Sequence, residues 1–325
     1  MASICFDSLH DIPGYRMEAG GYSAFICAES GANCIQLQTR KASYLRTPES
    51  YQMIKSNPYL YGMPLLFPPN RIKGGTYQFN GITYTFPINE EQRGHHIHGV
   101  LSSTPFTPLD PRITHQEASL TFCFEATKEK PYLTFPHTFR MTLTYLLNQD
   151  GLHQTLKVQN TDTLPMPIGL GFHTTLCERF LPNTKAEEYF LQIDAKKEIL
   201  IDRKTIIPTG EFIEENQLLK ALREGNLSPK GKALSNHLVA QEGDIKEAIY
   251  THKGSNLSLH YTTSSPFDYW MVFNGGGDKE FVCIEPQTWI IDAPNSPLPP
   301  SLTGFRSLAG GACLTVHTTL QEKEN

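Results

Sequence analysis

Short runs of alternating apolar and polar residues dominate the chain, and most of them predict β-strands that pair as hairpins. The clearest is "TYQFNGITYTF" (76–86), where two aromatic, threonine-rich runs flank Asn80-Gly81, a pair that tolerates the left-handed conformations of a tight turn. Further hairpins are predicted at 139–160, 248–263 and 269–286, and further strands at 23–29, 33–39 and 312–320. The pattern therefore predicts a chain built mainly from antiparallel strands.

Helical patterns are few and short. Residues 47–56 offer Thr47 as an N-cap and Pro48 at the first helical position. Residues 216–225 have apolar side chains at helical spacing and end in a glycine. Because no repeat or long linker divides the sequence, we predict one all-β domain over residues 1–325, a large antiparallel β-sandwich with a few short helices.

Composition excludes some classes of partner. The 325 residues are 39% hydrophobic and 19% charged, with a net charge of −5 and no basic block, so neither nucleic acid nor an anionic membrane is an expected partner. Apolar runs are shorter than a membrane span, and the first residues lack the pattern of a secretory signal. Seven cysteines without a CxxC spacing favour reduced thiols and a cytoplasmic location.

Two ionisable residues stand in apolar stretches where proton chemistry is favoured. Glu285 ends the strand-like run "FVCIEP", and a carboxylate in apolar surroundings has a raised pKa, which makes it a stronger base near neutral pH. His173 follows the glycine-rich segment "PMPIGLGF", and imidazole is well suited to donate a proton near neutral pH. An ion pair for Glu285 and a structural role for His173 are the alternative interpretations.

Two other stretches offer polar groups for binding. Asn70-Arg71 interrupt a proline-rich apolar run, and arginine carries five donors that can bind hydroxyl or carboxylate oxygens. His95, His96 and His98 invite a metal hypothesis, but strand alternation directs His95 away from the other two, and we find no further cluster of ligands that completes a site. We therefore predict no metal, and a sugar-binding, proton-handling or structural role for these histidines.

Taken in order along the chain, these segments resemble the aldose 1-epimerase (galactose mutarotase) family, and the resemblance covers nearly the whole sequence. The segments that carry it are "YGMPLLFPPNRIKGGTYQFNGITYTFPINE" (61–90), "HHIHGVL" (95–101), "FPHTFRMTLTYLL" (135–147), "MPIGLGFHTTL" (166–176), "IIPTGEF" (206–212) and "FVCIEPQTWIIDAPN" (281–295). None is specific alone, but the set in this order is.

The resemblance implies the family's supersandwich fold and its activity, which is interconversion of the α and β anomers of an aldohexose without cofactor or metal. By match to the family's motifs, Glu285 is the general base, His173 is the general acid, and Arg71 and His98, beside Asn70, bind the sugar. Ring opening requires one group to take the anomeric hydroxyl proton and another to protonate the ring oxygen. We expect the two groups on opposite sides of the hemiacetal, in a monomer or a homodimer whose partner is a small sugar.

One segment departs from the family pattern. Where the family has a sugar-binding aspartate, this chain has "LSNHL" (234–238), with Ser235 or Asn236 in its place, so that Asn236 is a candidate for an uncharged sugar contact. This change leaves two alternatives to a simple mutarotase open. One is a non-catalytic sugar-binding module, and the other is an epimerase of a phosphorylated hexose that uses Lys73 and Arg93 near Arg71.

Overall fold

The computed structural model describes residues 1–324, and antiparallel strands make up nearly half of this range, far more than helices do, as the alternating patterns predict. In chain order the strands are β1 (Ser3–Leu9), β2 (Ile12–Ala19), β3 (Tyr22–Cys27), β4 (Asn33–Gln38), β5 (Leu65–Leu66), β6 (Arg71–Lys73), β7 (Thr76–Phe79), β8 (Ile82–Thr85), β9 (His95–Ile97), β10 (Thr107–Pro108), β11 (Arg112–Ile113), β12 (Ala118–Ala126), β13 (Phe139–Asn148), β14 (Gly151–Asn160), β15 (Met166–Pro167), β16 (Gly171–Phe172), β17 (Thr174–Cys177), β18 (Tyr189–Ile193), β19 (Ala195–Ile201), β20 (Pro208–Ile213), β21 (Ser235–Ala240), β22 (Ile245–His252), β23 (Leu257–Ser264), β24 (Tyr269–Phe273), β25 (Phe281–Gln287), β26 (Ser307–Leu308) and β27 (Cys313–Glu324).

Helices are short, as predicted. They are α1 (Tyr51–Ser56), α2 (Gln217–Arg223) and α3 (Pro300–Thr303), with 3₁₀ turns at Ala28–Ser30, Leu101–Ser103, Ala186–Glu188 and Ala293–Asn295. The start predicted for the first helix is wrong, because the Thr47 hydroxyl donates to the Leu45 carbonyl 3.2 Å away and the helix begins only after Ser50. The second helix is confirmed, with the Asn216 side chain accepting from the Leu219 N–H at 2.8 Å. Among residues 1–324, no helix combines the length and the apolar character needed to span a bilayer.

Two large sheets pack face to face. In one, the path of neighbouring strands is β10-β12-β13-β14-β27-β23-β22-β18, with β11 on β12. In the other it is β20-β19-β21-β24-β25-β16-β5, with β17 on β25. Tyr261 of the first sheet contacts the second, since its hydroxyl lies 2.9 Å from the Thr174 hydroxyl and its ring lies 5.8 Å from that of Trp270. A separate sheet, β1-β2-β3-β4, adds to the same core.

The predicted hairpins all form. The β7–β8 pair turns at Asn80 and Gly81, whose φ angles of 48° and 76° lie in the left-handed region that the sequence requires. Strands β13 and β14, β22 and β23, and β24 and β25 pair in the same way. The first of these runs from Phe139 opposite Asn160 to Asn148 opposite Gly151, so its turn has two residues.

Alternation along β24 and β25 separates the core from the site. Trp270 pairs with Pro286, and these side chains face the other large sheet. Met271 pairs with Glu285, so both side chains emerge on the outer face of the sheet. The carboxylate at 285 therefore belongs to the face that the sandwich core does not use.

Candidate active site

The register of neighbouring strands brings the predicted acid and base together. Strand β17 pairs with β25 so that Thr174 lies opposite Ile284, and one step further places His173 opposite Glu285. The His173 Nε2 and the Glu285 Oε1 are 3.3 Å apart. The expectation that the two lie on opposite sides of a sugar ring is wrong, because adjacent strands place them in direct contact.

Burial sets the protonation of this acid–base pair, His173 and Glu285. Glu285 is 2% exposed, and burial raises its pKa to about 8, although a hydrogen bond from Gln287 and the charge of Arg71 act in the opposite direction. His173 is 5% exposed, and burial lowers its pKa to about 4. Each group therefore favours its neutral form near neutral pH, and the pair holds one proton, which rests on the carboxyl group rather than on the imidazole.

Gln287 orients the carboxyl group from the same strand. Its Nε2 donates to the Glu285 Oε2 at 3.2 Å, and its Oε1 accepts from the Asn70 Nδ2 at 3.4 Å. Asn70 is thus connected to the acid–base pair through one buried amide. Gln287 was not predicted as a site residue, although its position two residues after Glu285 puts it on the same strand face.

Asn70 and His98 hold each other in left-handed conformations, with φ angles of 56° and 64°. The His98 N–H donates to the Asn70 carbonyl at 3.0 Å, and the Asn70 N–H donates to the His98 Nδ1 at 3.3 Å. Burial holds the pKa of His98 well below its ordinary value, so the ring is neutral with its proton on Nε2. The ring lies 5.2 Å from that of His173 and 4.8 Å from that of Tyr59, which places this N–H donor beside the acid–base pair.

Arg71 is fixed by Glu90, a residue that was not predicted to belong to the site. Its Nε and Nη2 donate to the two oxygens of Glu90, each at 2.8 Å, and its Nη1 donates to the Asn70 Oδ1 at 3.2 Å. Two of the five N–H groups of the guanidinium remain for a ligand. Arg93 also donates to Glu90, at 2.8 Å, and Lys73 is exposed.

The neighbouring histidines do not share a site with one another. His95 Nε2 lies 3.0 Å from the Thr205 carbonyl, whereas His96 lies between the Pro87 carbonyl, at 2.7 Å, and the Gly99 N–H, at 3.1 Å. These contacts are to backbone groups, so both residues serve to hold loops. The strand face predicted for His96 and His98 does not extend that far, because β9 ends at Ile97 and His98 is left-handed.

Trp289 belongs to the core beneath the site. It is 1% exposed, its ring stacks on Phe305 with centroids 6.0 Å apart, and its Nε1 donates to the Pro69 carbonyl at 3.2 Å. The indole therefore supports the loop that carries Asn70 and Arg71 and has no surface to offer a sugar.

Asn236 is not brought to the other five predicted site residues. Its Nδ2 donates to the Glu198 Oε1 at 2.6 Å, and strand alternation puts it on the sheet face opposite to Glu285. Ser235 lies on the same face as Met271, and both residues, together with Asn236, line a cavity of about 360 Å³. Of the two residues predicted to replace the family aspartate, the serine is the one on the Glu285 face.

Comparisons with known proteins identify similar chains along nearly the whole sequence. The sequence model of the aldose 1-epimerase family matches residues 13–307. A galactose mutarotase-like protein of Clostridium acetobutylicum has a TM-score of 0.95 at 30% identity, over 100% of this chain and 99% of its own. The galactose 1-epimerase of Lactobacillus acidophilus NCFM has a TM-score of 0.72 at 13% identity, over 100% and 99%, so that likeness is one of fold. The uncharacterized protein YihR of Escherichia coli K12 is 26% identical over 287 residues, 86% of this chain and 85% of its own.

Proposed function

Because the chain belongs to the aldose 1-epimerase family, we propose that it is a mutarotase, which interconverts the α and β anomers of an aldohexose by opening and closing the sugar ring. Its fold is the galactose mutarotase-like β-sandwich that the sequence predicts. The observation that carries the proposal is the 3.3 Å contact between the buried His173 Nε2 and Glu285 Oε1 on the outer side of one sheet.

The proximity of the two groups suits the chemistry of a hemiacetal. The anomeric hydroxyl oxygen and the ring oxygen are bonded to the same carbon, so two protein atoms side by side can reach both of them from one edge of the sugar. One group of the acid–base pair takes the hydroxyl proton while the other protonates the ring oxygen, and the C1–O5 bond breaks to give the open-chain aldehyde. Rotation about C1–C2 and the reverse proton transfers then close the ring as the other anomer.

A pair that shares one proton can perform both transfers. The ionic form, a carboxylate beside an imidazolium, and the neutral form, a carboxyl beside an imidazole, contain the same number of protons and differ by one shift across the contact. With Glu285 as the base and His173 as the acid, the proton first shifts from the carboxyl group to the imidazole. Ring opening then converts this ionic form into the neutral one, and closure restores the ionic form. The proposed chemistry needs proton transfer alone.

Donors around the pair would hold the substrate. His98 presents its Nε2–H, because its Nδ1 accepts from the backbone of Asn70. Arg71 presents the two N–H groups that Glu90 and Asn70 leave free. These donors match the hydroxyl and ring oxygens of a sugar, which act as acceptors.

Polarimetry tests the proposal. Freshly dissolved α-glucose and α-galactose are followed with the wild-type protein and with Glu285→Gln, which keeps the shape of the carboxyl group but cannot exchange a proton. We expect the variant to lose a factor of about 10²–10⁴ in kcat, the contribution of one general acid–base group. Glu280→Gln, at an exposed residue just before the same strand, is the matched control and retains activity.

Equal rates for wild type and Glu285→Gln on every aldose would contradict the proposal. The alternative of a non-catalytic sugar-binding module predicts a different pattern, in which calorimetry detects sugar binding while the rotation decays at the spontaneous rate.

A further inference from the structure

A third ionisable side chain lies against the acid–base pair. Cys283 is two residues before Glu285 on β25, is buried, and shares its strand face. One ligand-type atom from each of His173, Cys283 and Glu285 lies within 4.8 Å of the others. We propose that these three residues form a binding site for a thiophilic divalent cation such as Zn²⁺, and that the bound cation blocks the acid–base pair.

The spacing of the three atoms is close to that of a tetrahedral site. Zn–N and Zn–O bonds of 2.0–2.2 Å put two tetrahedral ligands about 3.4 Å apart, and the His173 and Glu285 atoms are 3.3 Å apart. A Zn–S bond of about 2.3 Å requires the sulfur at about 3.6 Å from each of them, so Cys283 must approach by about 1 Å from the outer limit of the observed cluster. Rotation about χ1, the one side-chain torsion that moves the cysteine sulfur, would have to supply this movement.

Hydrogen bonds from neighbouring side chains hold two of the proposed ligands in the orientation that a cation requires. The Glu285 Oε2 accepts from Gln287, which leaves Oε1 directed at the histidine. The His173 Nδ1 lies 3.5 Å from the Thr175 hydroxyl, which leaves Nε2 for a metal. The same hydroxyl lies 3.4 Å from the Cys283 sulfur. Outer-shell contacts of this kind fix the ligands of known metal sites.

The ligand types select the class of cation. Thiolate and imidazole favour zinc and its heavier relative cadmium, whereas Mg²⁺ and Ca²⁺ prefer sites made wholly of oxygen. The thiol binds as a thiolate and releases its proton to solvent, and the carboxyl group likewise binds without its proton. Because the cation uses His173 Nε2 and Glu285 Oε1, neither atom remains to exchange a proton with a sugar.

Cobalt(II) spectroscopy on the full-length protein tests the site directly. The exposed Cys5 and Cys313 are first replaced by serine, which removes competing surface thiols. Co²⁺ added to this background should give the near-ultraviolet charge-transfer absorption of a thiolate–cobalt bond, and Zn²⁺ should abolish it by displacement. Adding Cys283→Ser should remove the band and weaken Zn²⁺ binding by more than about 10-fold, the lower limit seen even for loss of an outer-shell partner.

Cys34→Ser is the matched control, because Cys34 is equally buried but bonds to the Gln36 carbonyl away from the pair, and it should retain the band. Cys283→Ala replaces Cys283→Ser if the serine variant does not fold. Absence of the band in the background protein, its persistence without Cys283, or equal binding of Mg²⁺ would overturn the proposed site.

The blocking effect rests on the proposed function and has its own measurement. Zn²⁺ should slow mutarotation in the background protein and leave Cys283→Ser active at the same concentration. Activation by Zn²⁺, or equal inhibition of both proteins, would contradict the blocking effect. If the protein has no mutarotase activity, the cobalt spectra still decide whether the cation site exists.

Discussion

Replacing Glu285 by glutamine should stabilise the folded protein while it removes activity. The folded pKa of Glu285 is about 8 against an ordinary value of 4.5, because burial disfavours the charge. A carboxyl group whose pKa is raised on folding contributes most to stability below the unfolded pKa, and its contribution is lost as the pH rises toward the folded pKa. Glutamine resembles the protonated carboxyl group and has no ionised form, so its contribution to stability does not change with pH.

The size of the effect follows from the same two values. Between about pH 5 and about pH 7.5, the wild type should lose about 3 kcal/mol of stability through this group, at about 1.4 kcal/mol for each pH unit by which the two titrations differ. The variant should not show this loss, so its advantage in free energy of unfolding should grow by about 3 kcal/mol over that interval. His173 contributes similarly in both proteins, because burial lowers its pKa and Glu285 is not a cause of that shift.

Urea unfolding at the two pH values, with a chelator present, measures this difference. Glu280→Gln serves as the control, since its exposed carboxylate pairs with Arg179 at the surface, where an ion pair contributes little to stability. A difference between wild type and Glu285→Gln that stays constant with pH would show that the carboxyl group is not held neutral, and the reasoning from burial would be refuted.

Three further predictions follow from the site. Polarimetry, corrected for spontaneous mutarotation, gives kcat/KM as a function of pH. This rate constant should be level between the pKa values of the pair, about 4 and about 8, and should fall about tenfold per pH unit outside them. A single loss of activity near pH 6.5 would contradict the shared proton. Glu90→Gln should raise KM about tenfold with little change in kcat, because Arg71 loses charge-assisted bonds worth about 1.5–3 kcal/mol; steady-state kinetics with unchanged KM would exclude this positioning role. Tyr59→Phe removes a 3.1 Å hydrogen bond to the Gly99 carbonyl but keeps the ring beside His98, so thermal unfolding should show a loss of about 1 kcal/mol while the mutarotation rate is unchanged. A large loss of rate would assign the hydroxyl to the substrate.

Hairpins could be predicted from the sequence because their signals are local. Asn80-Gly81 between two alternating runs specifies both the turn and the register of β7 and β8. The neighbours that join distant segments could not be predicted in this way, since nothing within β17 indicates that it pairs with β25 more than a hundred residues later. The contact between positions 173 and 285 depends on that pairing, so its distance could not be predicted either.

Residues of the candidate site could be predicted where they stand in a motif. They could not be predicted where only the three-dimensional fold brings them to the site. His173, Glu285, Arg71 and His98 stand in segments that resemble a family. Glu90 has no local feature that distinguishes it from the other surface acids, and its role is visible only when Arg71 is seen to bind both of its oxygens. Asn236 was chosen by its place in a motif, but a strand presents alternate residues to opposite faces, and its side chain bonds to Glu198 instead.

The burial of His173 and Glu285 also affects the energy of the open-chain intermediate relative to the bound ring forms. Under the proposed roles, the ring form of the sugar is bound beside a carboxylate and an imidazolium, whereas the open-chain aldehyde is bound beside two uncharged side chains. Surroundings that disfavour isolated charges raise the energy of the first complex relative to the second. The buried surroundings of Glu285 would thus raise the population of the open-chain aldehyde on the protein, relative to the ring forms, above its population in water. A carbonyl-selective trap such as hydroxylamine should therefore capture sugar faster on the protein than in water.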